Sequence, residues 1–156
     1  PADYSARTGN LYLPTAESSM MYGFEEIKII SNVRHFGAYQ EFEWGDEIDK
    51  AVNAKTGEEV WRDTQSGKPG YAGGMLVTGG DITVYTTQAG EFKVMDAKTG
   101  KELYSKNFGI AAKSGPMTYM HEGKQYIVQA LGTQAQFGRD EILGIEFGHA
   151  IVAFTR

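Results

Sequence analysis

The phrase NAKTGEEVW at residues 53–61 returns as DAKTGKELY at 96–104, and a looser form, SARTGNLY, occupies residues 5–12. The glycines Gly9, Gly57 and Gly100 recur at intervals of roughly 45 residues, and a period in that range marks a repeat architecture. Each unit of such a chain is one supersecondary element that buries its apolar face only by stacking on a neighbour. The fold therefore has to be built from similar units set side by side.

The hydrophobic pattern between the copies has a period of two. GGMLVT (73–78), ITVYTT (82–87), EFKVMD (91–96) and KELYSK (101–106) are short runs rich in Val, Ile, Thr, Tyr and Phe, separated by glycine-bearing turns. They read as a four-stranded antiparallel meander. Lys-Thr-Gly is a tight turn in which glycine supplies a positive φ and the threonine hydroxyl bonds nearby backbone. Four residues after the glycine an aromatic follows, Trp61 or Tyr104, placed to staple its strand to the next unit.

A second meander runs through PMTYM (116–120), a turn at His121-Glu122-Gly123, KQYIVQAL (124–131), a loop from Gly132 to Gly148 and HAIVAF (149–154), which makes three strands. An earlier unit assembles from DYSA (3–6), NLYLP (10–14), a strand ending near AVNA (51–54) and EEVWRD (58–63), with residues 15–45 as an excursion and a candidate strand at EIKIIS (26–31). The expected organisation is one all-β segment with units at about 1–65, 71–108 and 114–156, the last incomplete. Four-stranded meanders at this period are blades of a β-propeller, and closed rings take about four to eight of them. The remaining blades are thus expected on a missing segment or another chain, with the outer strand of the last unit donated from the start of the ring. Terminal blades left bare would expose more apolar surface than a monomer tolerates.

Composition narrows the function. A formal net charge of −5 with no basic cluster offers nothing to nucleic acid. No apolar run is long enough to span a membrane, and PADYSARTGN has neither the basic start nor the apolar run of a secretory leader. With no cysteine there is no disulfide, thiolate nucleophile or cysteine-ligated metal. Nucleotide-loop, hydrolase-elbow and HExxH motifs are absent from the sequence.

Ala51-Val-Asn-Ala-Lys-Thr-Gly-Glu-Glu-Val-Trp61 closely resembles the tryptophan-docking motif of quinoprotein dehydrogenases, the pyrroloquinoline quinone (PQQ) dependent alcohol and methanol dehydrogenases. In that motif an alanine, an acidic residue, Thr-Gly and a tryptophan recur once per blade. The copy from Val94 to Tyr104 keeps the aspartate and Thr-Gly; the copy from Ala51 to Trp61 keeps alanine and tryptophan and has Asn53 for the acid. YSARTGNLYLPT (4–15), residues 73–104, PMTYMHEGKQYIVQALG (116–132) and AIVAF (150–154) are similar to the family's C-terminal blades, in order.

The resemblance implies a periplasmic enzyme that oxidises an alcohol or similar small substrate with PQQ, helped by a calcium or lanthanide ion and passing electrons to an acceptor such as a cytochrome. It also implies that the catalytic aspartate and the metal ligands lie in earlier blades, leaving no catalytic or metal residue here. This segment would supply the rim of the cofactor site through KPGYAGG (68–74) and GTQAQFG (132–138). Tyr71 and Gly73 in the first loop, and Gln136 and Phe137 in the second, are the candidate cofactor contacts. Tyr71 stands where the family commonly has tryptophan, and both aromatics could instead pack their own loops. The alternative function is a propeller without cofactor that presents its rims to another protein.

Other polar groups read as structural. His35, His121 and His149 are too far apart in sequence to suggest a shared metal. Asp46, Glu47 and Asp49 read as an exposed charged edge, since no calcium-loop spacing follows. Asp140 and Glu141 could face a partner chain or a substrate entrance.

Overall fold

A computed structural model describes residues 1–26, 37–69, 73–132 and 148–155, and all regular structure in them is β. The strands are β1 (Asp3–Ser5), β2 (Asn10–Phe24), β3 (Ala38–Asn53), β4 (Glu59–Pro69), β5 (Leu76–Val77), β6 (Ile82–Thr86), β7 (Glu91–Asp96), β8 (Glu102–Asn107), β9 (Met117–His121), β10 (Lys124–Gly132) and β11 (His149–Thr155). They pair antiparallel as β1-β2-β3-β4, β5-β6-β7-β8 and β9-β10-β11, so each sheet is a meander of consecutive strands.

The repeated phrase is one turn built three times. Gly9, Gly57 and Gly100 adopt φ values of +73°, +76° and +70°, and their N–H groups donate to the carbonyls of Ser5, Asn53 and Asp96 at 2.8–2.9 Å. At that first position any short oxygen-bearing side chain serves. Asn53 Oδ1 accepts from the Lys55 and Thr56 amides at 2.9 and 3.0 Å, and Asp96 Oδ1 from Lys98 and Thr99 at 3.0 and 2.8 Å. The asparagine thus does the work of the aspartate. In all three copies the threonine hydroxyl accepts from the amide two residues on. Asn53→Asp is therefore expected to leave stability unchanged, whereas Asn53→Ala strips two amides of their acceptor and should cost about 1 kcal/mol in urea denaturation.

The three copies do not occupy equivalent places. NAKTG and DAKTG are the β3–β4 and β7–β8 turns, whereas SARTG is the β1–β2 turn of the first sheet. Its near-regular spacing joins two different turns, because the same local chemistry suits both turns at that end of the sheet: Ala54 N–H donates to the Gly9 carbonyl at 3.0 Å, laying one turn on the other. In the second sheet Asp81 takes the place of Gly9, accepting from Ala97 N–H at 2.9 Å. There the positive φ of 59° falls on Asp81 itself rather than on Gly79 or Gly80, a conformation that aspartate tolerates better than most residues.

Two further expectations change. Residues 15–45 are not an irregular excursion: β2 and β3 continue as a two-stranded ribbon, in register from Asn10↔Asn53 to Phe24↔Ala38, with a shift between Ala16 and Ser18. Met20, Tyr22 and Phe24 alternate with Ser19, Met21 and Gly23, and Glu17, Ser18, Glu41 and Glu43 elsewhere in the ribbon mask the period-two signal. Residues 27–31 of the candidate strand EIKIIS lie outside the described residues. The run at 73–78 shrinks to Leu76–Val77, because its backbone bonds go elsewhere: Met75 N–H donates to the Pro1 carbonyl at 3.1 Å and Val77 N–H to the Asp3 carboxylate at 2.8 Å.

Between the first two sheets lies the core of Tyr12, Ala51, Trp61, Met75, Tyr85, Met95 and Ala97. Trp61 is the expected staple. Its indole N–H donates to the Ala97 carbonyl at 3.0 Å, an acceptor shared with the Tyr12 hydroxyl at the same distance, and its ring lies so close to Gly100 that a Cβ there would fall 2.6 Å from it. Tyr104, the corresponding aromatic of the second sheet, behaves differently. It is 47% exposed and meets Phe154 of the third sheet only edge-on, with centroids 6.4 Å apart. Tyr104 has no described turn to dock on, because β11 is the last strand of its sheet. Phe92 and Phe154 stack at 4.2 Å across this second seam, beside an apolar cleft of about 720 Å³ lined by Ile82, Val94, Tyr104 and Ile127 among others.

Candidate functional site

In a meander the connections alternate between two ends of the sheet. The repeated turns 5–9, 53–58 and 96–101 share one end; the β6–β7 turn, the β4–β5 and β8–β9 linkers and the β10–β11 connection share the other. That second end is where the two loops singled out by resemblance leave the sheets. Tyr71, Gln136 and Phe137 lie outside the described residues, as do His35, Asp140 and Glu141.

Gly73 is described and buried. A Cβ on it would sit 2.9 Å from the Ala112 carbonyl oxygen, so glycine here lets the β4–β5 linker lie directly against the β8–β9 linker. The same linker is held from the other side. Gln88, fully buried in the β6–β7 turn, donates its side-chain amide to the Ala112 carbonyl at 3.0 Å. Gly132 N–H donates to the Ala111 carbonyl at 2.8 Å, and Phe108 N–H to that of Gly90 at the same distance. Segments 88–90, 108–112 and 132 therefore form one hydrogen-bonded junction, with Gly73 packed against it, at the described ends of the two loops.

Glu47 ties this junction to the first sheet. Its carboxylate accepts from the Gln88 backbone N–H, at 2.9 Å through Oε2 and 3.2 Å through Oε1. The expectation of an exposed charged edge at Asp46, Glu47 and Asp49 is corrected here: Glu47 and Asp49 are each only 2% exposed. Their burial follows from the second sheet closing over this face of β3. The sequence signal missed was that Glu47 and Asp49 share the inward-facing parity of Ala51, two and four residues along one strand.

The two described histidines do not converge. His121 pairs with Lys124 at one end of β10 and His149 with Gly132 at the other. Among the described residues no group of three His, Cys, Asp or Glu side chains is placed to hold a metal ion, and no helix is long and apolar enough to cross a membrane.

Comparison with known proteins places this arrangement. A quinoprotein alcohol dehydrogenase of Pseudomonas putida, PedE, is 32% identical over 136 residues, covering 85% of this chain and 21% of that protein. A lanthanide-dependent methanol dehydrogenase of Methylacidiphilum fumariolicum is 32% identical over 146 residues, covering 88% and 24%. Among solved structures, a europium-containing methanol dehydrogenase superposes with a TM-score of 0.71 at 28% identity, over 85% of this chain and 24% of that one. A quinohemoprotein alcohol dehydrogenase of Pseudomonas putida HK5 superposes with a TM-score of 0.80 over 98% of the chain at 18% identity, a likeness of fold. The chain thus spans about a quarter of the length of these relatives, as part of a β-propeller. The profile of the PQQ β-propeller domain of glucose, ethanol and alcohol dehydrogenases matches residues 38–127, more than half of the chain, and it is to that family that the chain belongs.

Proposed function

We propose that this chain is the C-terminal portion of a PQQ-dependent dehydrogenase that oxidises an alcohol or similar small substrate in the periplasm. The observation that carries the reading is the docking of Trp61 on the Ala97–Gly100 turn of the following sheet, in a chain whose segments follow the family's order. The three sheets are then successive blades, at about residues 1–65, 71–108 and 114–156, and the remaining blades complete the ring. Exposed Met117, Met120 and Ile151 on the third sheet and Tyr4 and Val60 on the first are apolar surface that such neighbours would cover.

Residues of this chain would form one rim of the cofactor site. A fused-ring quinone needs flat faces to lie against and donors at its oxygens. The junction at the described ends of the loops is compatible with that, because Gly73, lacking a side chain, lets the linker that carries Tyr71 close onto the Ala112 backbone. Tyr71 and Phe137 would offer ring faces and Gln136 an amide donor. When bound, the quinone supplies the two-electron oxidising power that no side chain has. These residues orient it and exclude water, while the catalytic base and the ligands of a calcium or lanthanide ion would come from the other blades. Relatives named for a cytochrome c acceptor, a 1-butanol dehydrogenase and a methanol dehydrogenase subunit, motivate a cytochrome as the acceptor here.

The test is reconstitution of the complete protein with PQQ and calcium or a lanthanide, followed by alcohol-dependent reduction of a dye. Activity that needs both additions is expected, and Tyr71→Ala should weaken PQQ binding by at least tenfold, read by equilibrium titration. A complete ring that binds neither quinone nor cation would leave the protein-binding scaffold as the better reading.

A further inference from the structure

Among the described residues, two buried carboxyl groups, a third that is partly exposed and one buried ammonium group meet in the seam between the first and second sheets. Glu47 and Asp49 project from β3 on one face, and Asp63 of β4 is the direct cross-strand partner of Asp49, a pairing that places their Cβ atoms about 5 Å apart. From the second sheet, Lys93 of β7, 6% exposed, sets its ammonium 2.7 Å from Asp63 Oδ2. Tyr85 of β6 donates its hydroxyl to the same oxygen at 2.7 Å, and Gln65 of β4 its amide at 3.2 Å. Glu47 receives the Gln88 amide. On the far side of Lys93 stand Glu91 and Glu102 at 3.7 and 3.8 Å, both nearer to solvent. The β2 residue opposite Asp49 is Pro14, which adds no charge and no donor.

Among the described residues no hydrogen-bond donor is directed at Asp49, unlike the other two, and its Oδ2 is buried without a partner there. An ionised carboxylate cannot rest there: it would lie unsolvated beside two other carboxylates, with the one lysine already committed to Asp63. A neutral carboxylic acid can. We propose that this cluster is a pH-sensitive latch between the first two sheets, closed while Asp49 holds its proton and released when the proton leaves. Burial is the main cause that lifts the Asp49 carboxyl well above the ordinary carboxylate range; Glu47 and Asp63 add to it and Lys93 opposes it. Because Glu47 is bonded to Gln88 and Gln88 to Ala112, release of the seam would also loosen the junction at the described ends of the loops.

The sign follows from linkage. An acid whose folded value is raised binds more protons in the folded than in the unfolded state, so stability falls as pH rises from the ordinary carboxylate range towards the folded value. Asp49 then lowers the folding constant by about tenfold per pH unit across that window. The test compares the complete wild-type protein with Asp49→Asn and Asp49→Leu by urea denaturation between pH 4 and pH 8, with amide exchange at Gln88 and Ala112 corrected for intrinsic rates. Both variants should gain on the wild type as pH rises and should lose its rise in exchange at Gln88 and Ala112. The infrared carbonyl band of a protonated carboxylic acid should persist in the wild type above the ordinary carboxylate range and be missing there from Asp49→Asn. Parallel stability profiles for the three proteins, or a wild type without that band, would overturn the latch. The infrared reading on the wild type decides the matter even if neither variant folds.

Discussion

Trp61→Ala is expected to destabilise the folded protein by about 3–5 kcal/mol, the range for deleting a large buried aromatic. The figure is large because the side chain does three things at once. It fills the seam between the first two sheets beside Tyr12 at 6.1 Å, it donates to the Ala97 carbonyl, and it covers Gly100. Truncation opens a cavity across two sheets that the meanders cannot close by shifting one strand. Trp61→Phe keeps a ring but loses the indole N–H, and should cost roughly 1 kcal/mol for the hydrogen bond plus the smaller ring's lost contact. Gly100→Ala gives an independent check, since both the positive φ of +70° and the proximity of Trp61 oppose a Cβ. Its effect should shrink in the Trp61→Ala background, because one of its two causes is then gone. Urea denaturation of the single and double variants reads all of this, and strictly additive losses would mean that the two residues do not meet.

Lys93→Met should cost about 3 kcal/mol, the lower end for breaking a buried ion pair, because Asp63 retains 20% side-chain exposure and water can partly solvate it. The loss arises less from the bond itself than from what is left behind: Asp63 without its cation, facing Asp49 and near Glu47. The companion variant is Asp63→Asn with Lys93→Met. Removing both charges leaves the tyrosine hydroxyl with an amide acceptor, so the double variant should recover much of the stability lost by Lys93→Met alone. Burial disfavours the charged form of Lys93, but its hydrogen bond and proximity to Asp63 outweigh this and raise its proton affinity. The stabilisation it provides is thus complete at neutral pH and fades only as pH climbs through the raised lysine value. A Lys93→Met protein as stable as the wild type would remove the cation from any account of this seam.

Much of the fold is legible because local rules and tertiary structure agree. The strands at 91–96, 101–106, 116–120, 124–131 and 149–154 fall within a residue or so of their observed bounds, since each alternates and ends at a turn whose glycine or threonine has a mechanical task. Legibility fails where backbone partners come from elsewhere. The strand expected at 73–78 is shortened by Pro1 and Asp3, which no local pattern could announce. The ribbon of β2 and β3 is hidden by polar residues on a strand pair with little to bury, and the SARTG copy shows that one turn chemistry can recur at unequal places. Of the site, Gly73 could be singled out from resemblance, but its close approach to Ala112 belongs to two linkers far apart in sequence. The burial of Glu47 and Asp49 is illegible for a related reason: a run of acids looks solvent-facing until the sheet that covers it is known.

These three sheets are a portion of one larger quinoprotein ring. Membership of that ring is tested most directly by denaturing a native preparation that contains this sequence and measuring, by mass spectrometry, every polypeptide and small molecule released. Further propeller sequence is expected, on the same polypeptide or a companion one, together with PQQ near one per ring. A chain no larger than the 17.2 kDa of this sequence, released alone and without quinone, would contradict that expectation.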